Sequence, residues 1–368
     1  MKTLRDILLL CVLPLLASCA HEPQWQRDEG MAWGTTYHIT YAAPASLHDS
    51  VRAVMRAVEL SVSPFEPASR ISAVNAGRTD TLDAMLASLV EVSQRVCRES
   101  GGAFDPTVMP LVDLWGFGPA ARGSEPSQAM IDSARRAVGI LECSVDAAGR
   151  FVRKHPDTRL DFSAIAKGMG VDAVAAMLRR NGVDRYMVEI GGEVAVGGMN
   201  PRGDLWRIQI DAPVDDPGGM RHERMRVLPL DSGMCVATSG NYRNYRTLAD
   251  GTRAGHIISP LTGRPAMSAV LSATVVAPSC MLADALATAS MVMEPDSALA
   301  MCSRVRVAQV ILAVAAPPDT FRIITQYDYP QKYPRISQCR DVPLARKIGK
   351  QAYYTSQSDV PTLRAVTL

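Results

Sequence analysis

The sequence predicts an α+β fold, and three observations predict it. Apolar residues recur at helical spacing through much of residues 49–180, strand-like runs punctuated by Gly and Pro dominate residues 186–277, and the two kinds do not alternate as a doubly wound parallel sheet would require. Length and composition allow such a fold: 368 residues, 47% of them apolar, can bury a large core and exclude a disordered chain.

Val51, Val54, Val58 and Leu60 mark a first amphipathic helix, and Leu82, Leu86, Leu89 and Val96 a second. Ser127 introduces a third, with Met130, Ile131, Ala134 and Val138 on one face; a fourth runs from about Ser163 to Arg180, with Gly182 as its stop signal. Strands are expected at Tyr186–Ile190, Glu193–Val196, Leu205–Ile210, Met225–Leu230, Met234–Thr238 and Val270–Ala277. A helix from about Met281 to Met293 then precedes strands at Val305–Val314 and Phe321–Gln326. Beyond Gln331, Pro334, Pro343 and Pro361 interrupt a polar, basic stretch with little periodicity, read as an appended tail.

Charge adds a second layer. Lys+Arg 39 against Asp+Glu 37 gives a net +2, too little for a global field that captures nucleic acid, and no nucleic-acid partner is expected. The basic surplus sits at the ends: residues 332–368 carry seven basic side chains against Asp341 and Asp359, while residues 19–331 carry 30 basic and 34 acidic ones. Lys2 and Arg5 precede an eleven-residue apolar run, Ile7 to Ala17, too short to span a bilayer and suited to a secretion signal. The run closes on Leu16-Ala17-Ser18-Cys19, which resembles a bacterial lipoprotein box. The expected division is a signal peptide at 1–18, a tether at 19–30 beginning with a lipid-bearing Cys19, a domain at 31–328 and a tail at 329–368. Six further cysteines, at 97, 143, 235, 280, 302 and 339, contain no C-x-x-C, which removes zinc-ribbon and thioredoxin-like readings and leaves disulfide pairing open.

G-x-S-x-G, H-E-x-x-H and G-x-x-x-x-G-K-[ST] are absent. Gly116-Phe-Gly118-Pro-Ala-Ala121 fits a dinucleotide-binding pattern in form only, because no strand signal precedes it and Pro119 interrupts it. A different set of segments stands out when read in order: Met31-Ala-Trp-Gly34, Ser63-Pro-Phe65-Glu66-Pro67, Gly101-Gly-Ala103-Phe104-Asp105-Pro106-Thr107 and Leu114-Trp-Gly-Phe-Gly118. There follow Asp161-Phe-Ser-Ala164-Ile-Ala-Lys167-Gly168, Glu189-Ile-Gly-Gly-Glu193, Thr238-Ser-Gly-Asn241, His256-Ile-Ile258-Ser259-Pro and Ala283-Asp284-Ala-Leu-Ala-Thr288. In order and spacing, over about residues 30 to 325, these resemble the FAD:protein FMN transferase (ApbE) family of bacterial flavin-handling lipoproteins.

The resemblance implies mixed helices with a mainly antiparallel sheet, and an enzyme that uses Mg2+ to split FAD, joins FMN through a phosphoester to a Thr or Ser hydroxyl of a partner, and releases AMP. It implies acceptor subunits of membrane redox pumps as partners, modified on the extracytoplasmic side. The expected setting is a lipid-anchored protein on the inner membrane facing the periplasm. A Mg2+-dependent FAD pyrophosphatase and a non-catalytic flavin-binding lipoprotein remain alternatives at this point.

Asp284 and Thr288, four apart on a helix, can present two oxygens on one side of one turn, as a Mg2+ bound beside phosphates requires. The competing reading has Asp284 as a cap and Thr288 bonded back to the carbonyl of residue 284. The resemblance adds the Ala164 carbonyl as a metal ligand; where some relatives carry another carboxylate, this chain has Ala287. It also implies FAD contacts from Met31, Phe65, Ala103, Phe104, Asp105, Asp161, Lys167 and Ile258. The plain alternatives are core packing for Met31 and Phe104, and an ordinary helix start for Asp161 and Lys167. His256, alone among six histidines in a Gly-rich approach to a turn, is the expected general base, because an acceptor hydroxyl is a weak nucleophile near neutral pH. Ser259 stands where the family often has Asp.

Overall fold

A computed structural model describes residues 24–119, 125–214, 222–241, 245–247, 253–316, 320–327, 341–343 and 363–364. The expected signal peptide, Cys19 and most of the basic tail lie outside the described residues.

The chain enters through an antiparallel hairpin, β1 (Gln24–Ala32) and β2 (Thr35–Ala43), closed by Trp33-Gly34. Both turn residues have positive φ, 53° and 77°, as a two-residue hairpin turn demands. Glycine does this freely, whereas a tryptophan there must be held from outside, and the Trp33 ring lies directly against Gly170. The hairpin corrects the expected tether at 19–30. Residues 24–30 belong to the sheet, anchored by Trp25 edge-on to Trp206 at 6.1 Å and by Asp28, which accepts from Tyr41 Oη at 3.1 Å and pairs with His48 at 3.0 Å. As an edge strand with most side chains in solvent, β1 shows no apolar alternation to find.

Helices α1 (His48–Val62), α2 (Arg70–Asn75), α3 (Ala84–Glu99), α4 (Met109–Leu114) and α5 (Gln128–Arg135) follow. Asp83 and Ser127 cap α3 and α5, each accepting from a backbone N–H three residues on. A small hairpin, β3 (Ser144–Val145) with β4 (Phe151–Val152), leads to α6 (Ala166–Arg180), which stops at Gly182 as expected but starts three residues after Ser163, beyond a tight turn. Then come β5 (Tyr186–Ile190), β6 (Glu193–Gly197), β7 (Trp206–Asp211), β8 (Arg224–Leu230), β9 (Cys235–Gly240), β10 (Tyr245–Thr247), β11 (Arg253–Gly255) and β12 (Val270–Ala277).

Helix α7 (Cys280–Val292) is followed by α8 (Pro295–Val305), which occupies the start of the strand expected from Val305. Pro295 in the first turn and Arg306 at φ 60° delimit α8, and β13 (Gln309–Ala316) begins only after it, leading to β14 (Thr320–Tyr327). Short pieces of the tail, β15 (Asp341–Pro343) and β16 (Leu363–Arg364), lie along β14 and β7.

Nine strands form one sheet in the order β1-β2-β5-β6-β9-β12-β13-β14-β15, every neighbour antiparallel. One face carries Val58, Leu86, Leu89, Val275, Leu286 and Leu312 in a core shared with α1, α3, α7 and α8. Its continuation under α1 and α6 holds Ile39, Met55, Val174 and Val188. On the opposite face Val194, Val196, Val236 and Ile311 pack on Trp206, Ile208 and Leu228 of the β7–β8 hairpin. The α+β expectation holds, with the sheet between a helical layer and that hairpin. The five described cysteines, 97, 143, 235, 280 and 302, are buried free thiols.

Candidate active site

The loops that carry the recurring segments meet because backbone groups tie them together. Asn75 exchanges two hydrogen bonds with the backbone of Leu160, at 2.8 and 2.7 Å, and the Asp161 N–H donates to the Pro106 carbonyl at 2.6 Å. Arg159 pairs with Asp113 at 2.9 Å, and Trp115 Nε1 donates to the Gly263 carbonyl at 2.8 Å. These contacts bring residues 103–118, 159–168 and 256–263 to the start of α6.

At that start lies the densest polar geometry. In an α-helix the N–H of Gly168 would donate to the carbonyl of Ala164; here it donates to Asp284 Oδ2 at 3.0 Å. Among the described residues no backbone N–H reaches the Ala164 carbonyl, the oxygen that the diverted Gly168 N–H would have served. Asp284 is not a cap, because Ser279 caps α7 through the Leu282 N–H. Thr288 does not bond back along its helix either: its Oγ1 shares a hydrogen bond with Ser239 at 3.0 Å, and it is Ser290 that bonds back to Leu286. Ala287 is fully buried in the core.

Lys167 is not a solvated helix-start lysine. Its ammonium lies 2.6 Å from Glu193 Oε1, and Thr35 and the lysine stem both close on Gly191. Burial opposes the lysine charge, but Glu193 and Asp284 hold its pKa above the ordinary lysine range. Burial pushes Glu193 up to about 8, against Lys167 and with help from Asp284, and it raises Asp284 too, against Lys167 and the Gly168 N–H. Two buried carboxyls thus lie in the field of one ammonium, with Glu193 in direct contact. Glu193 Oε2 and Thr35 Oγ1 are buried with no hydrogen-bond partner among the described residues.

Mg2+ fits this donor set. No group of three or more His, Cys, Asp or Glu side chains suited to a metal, and so no all-protein cage, occurs among the described residues. A hard cation that keeps waters and substrate phosphates needs only a carboxylate and a few neutral oxygens, and Asp284, the Ala164 carbonyl and Thr288 are the groups that would hold it.

The other expected positions divide sharply. Met31 is 70% exposed and Phe65 62%, large apolar side chains left in water where a flat ring could cover them. Ala103 and Phe104 are buried, Phe104 within the main core, and the Phe104 N–H is taken by Ser100 Oγ. Asp105 corrects an expectation: its side chain turns inward. Oδ1 accepts from the Thr107 N–H and hydroxyl, Oδ2 from the Ile140 N–H, and burial raises its pKa. Ile258 likewise packs on Leu111, Leu114 and Trp115, which leaves its backbone for any ligand. Asp161 Oδ1 caps the turn before α6 through the Ser163 N–H and hydroxyl; burial raises this carboxyl, Ser163 opposes, and Asp113 adds to the rise.

His256 lies half-buried in the bend after β11. The Cα of the preceding Gly255 sits against Asn241, where a Cβ would come within 2.6 Å of the amide carbon, and Asn241 Oδ1 is buried without a partner among the described residues. Ser259 closes its own turn, accepting from the Thr262 and Gly263 N–H groups. Motif reading gave Asn241 and Glu193 no role; their unpaired buried oxygens become visible only in the fold.

The sequence model described as the ApbE family matches residues 33–312. The chain belongs to the ApbE family. A Vibrio cholerae protein called FAD:protein FMN transferase is 36% identical over 327 residues, covering 86% of this chain and 95% of that one. The solved structure of the flavin transferase ApbE from Vibrio cholerae superposes with a TM-score of 0.73 at 34% identity, covering 82% of this chain and 97% of that one. The Pseudomonas stutzeri flavinyl transferase ApbE in its apo form also gives 0.73 at 34% identity, covering 84% and 96%. The family match therefore spans the helical layer, the β7–β8 hairpin, the sheet from β2 into β13, and the segments from Trp33 to Thr288.

Proposed function

We propose that this ApbE-family chain is an FAD:protein FMN transferase, which moves FMN from FAD to a Thr or Ser hydroxyl of a partner protein and releases AMP. The observation that carries the reading is the diverted Gly168 N–H, which goes to Asp284 and leaves the Ala164 carbonyl without a backbone donor among the described residues. Mg2+ held there would neutralise charge on the substrate pyrophosphate.

The chain's own residues do the rest. Lys167, held 2.6 Å from Glu193, adds positive charge next to the pyrophosphate. Exposed Met31 and Phe65 cover the isoalloxazine, and the backbone around Ala103–Asp105 and Ile258 fixes the nucleotide. The acceptor oxygen bonds to the FMN phosphorus as the bridging P–O bond to AMP breaks, and His256 takes the hydroxyl proton. Pyrophosphatase and pure binding are outcomes of the same test.

The setting completes the proposal: a lipid on Cys19 holds the chain to the inner membrane facing the periplasm, and subunits of membrane redox pumps are the acceptors. Four residues separate Cys19 from β1, a reach of about 14 Å. The decisive experiment incubates the chain with FAD, Mg2+ and an acceptor domain bearing a flavinylation threonine. Acceptor gaining the mass of FMN, with AMP released, is the expected result; free FMN and AMP would make it a pyrophosphatase, and unchanged FAD a binding protein.

A further inference from the structure

Outside the residues already assigned, one carboxylate is spent mainly on the N-terminus of another helix. Asp172, one turn beyond Gly168 on the same face of α6, accepts four hydrogen bonds, all from outside its own helix. Oδ2 takes the Ser279 hydroxyl at 2.9 Å and the Met281 N–H at 3.0 Å; Oδ1 takes the Cys280 N–H at 3.0 Å and the Cys235 thiol at 3.8 Å. Cys280 and Met281 are the first two residues of α7, whose N–H groups have no partner within the helix. Ser279 serves the third, at Leu282. An α6 side chain therefore closes the N-terminus of α7 with a full negative charge.

The traffic runs both ways. One turn back on α6, the Gly168 N–H donates to Asp284, one turn forward on α7, and a Cβ on Gly168 would collide with the Cys280 carbonyl. Residues 168 and 172 face residues 280 and 284 as a two-rung clamp, each helix donating to a carboxylate of the other. The upper rung fixes the start of α7; the lower rung fixes the carboxylate offered to the metal, and Thr288 follows one turn later.

We infer that Asp172 is a positioning residue for metal capture: it sets the rotation and depth of α7, so that Asp284 and Thr288 meet the Ala164 carbonyl with the spacing the ion needs. It touches neither metal nor substrate. The inference rests on the proposed metal role of Asp284.

Asp172→Asn keeps the shape and loses the charge; Asp172→Ala loses both. Two readouts are compared for these, the parent chain and Asp284→Asn. One is the Mg2+ dependence of FMN transfer. The other is Mn2+ affinity, from the loss of the free-ion EPR signal, with ADP present as an unreactive pyrophosphate. Removing a group that orients a ligand should weaken Mn2+ binding and raise the Mg2+ needed for half-maximal transfer by about tenfold. The rate at saturating Mg2+ should stay near the parent's. The inference is overturned if Asp172→Asn and Asp172→Ala bind Mn2+ like the parent while Asp284→Asn does not. It is equally overturned if the variants lose rate at every Mg2+ concentration with no change in Mn2+ affinity, the mark of a merely structural role. If Asp284→Asn itself leaves both readouts unmoved, the metal assignment falls and the inference with it.

Discussion

The two ends of the candidate site are built on opposite principles. At the α6–α7 end, Lys167 is paired with Glu193 and Asp284 takes the Gly168 N–H before any ligand arrives. At the other end Met31 and Phe65 stand in water. The difference follows from the ligand chemistry proposed. Charge on a pyrophosphate is stabilised by dipoles and ions that need not reorganise, whereas a flat apolar ring needs only area to cover. The ionic end should therefore control rate and the apolar edge affinity, and substitutions can break or sharpen that division.

The largest effect is expected at Asp284. Asp284→Ala removes the one carboxylate of the proposed metal set and frees the Gly168 N–H, and transfer should fall by about a thousandfold at saturating FAD. A residual rate within tenfold of the parent would break the ionic half of the comparison. Next comes His256→Ala, for which a loss of about a hundredfold is expected in the rate of acceptor flavinylation, with FAD affinity kept. A parental rate would remove His256 as the base.

The apolar edge predicts a different signature. Phe65→Ala should raise the KM for FAD by about fivefold and leave kcat in place, since stacking on a ring contributes about 1 kcal/mol. Equal losses in kcat and kcat/KM would mean that Phe65 acts in the transition state, and the two ends would no longer be distinct.

The same contrast governs what the sequence made legible. Asp284 and Thr288 could be singled out as candidates because their relation is local: four residues on one helix put both oxygens on one side. Helices α1, α3, α5, α6 and α7 and the central strands were readable for the same reason, through apolar period, whereas α2, α4 and α8 were not. Asp172 and Glu193 were not, because each acquires its role from a segment far along the chain, α7 for Asp172 and α6 for Glu193. Asp105 shows the reverse error. Its motif was legible, yet burial and three donors on Thr107 and Ile140 turn the side chain to scaffolding. Strands β1 and β2 escaped because the edge strand lacks alternation and its turn uses Trp33 rather than Asn or Asp before glycine.

The smallest effect tests whether the ionic end is strained while it has no cation. Burial lifts Glu193 from an ordinary 4.5 to about 8. A carboxyl whose folded pKa lies above its unfolded one contributes stability below the unfolded value and loses it as pH rises through the folded value. Between about pH 5 and 8 the unfolded chain has released this proton and the folded chain still holds it, so metal-free protein should lose stability across that window. Asp284 and Glu189, both raised by burial, act in the same sense. Glu193→Gln removes one contributor, and its midpoint of thermal unfolding should fall less steeply than the parent's from pH 5 to 8, even though the absolute midpoint drops where Lys167 loses its partner. Parallel slopes would mean that Glu193 is ionised throughout, held so by Lys167, and its burial would then store no strain for a cation to relieve.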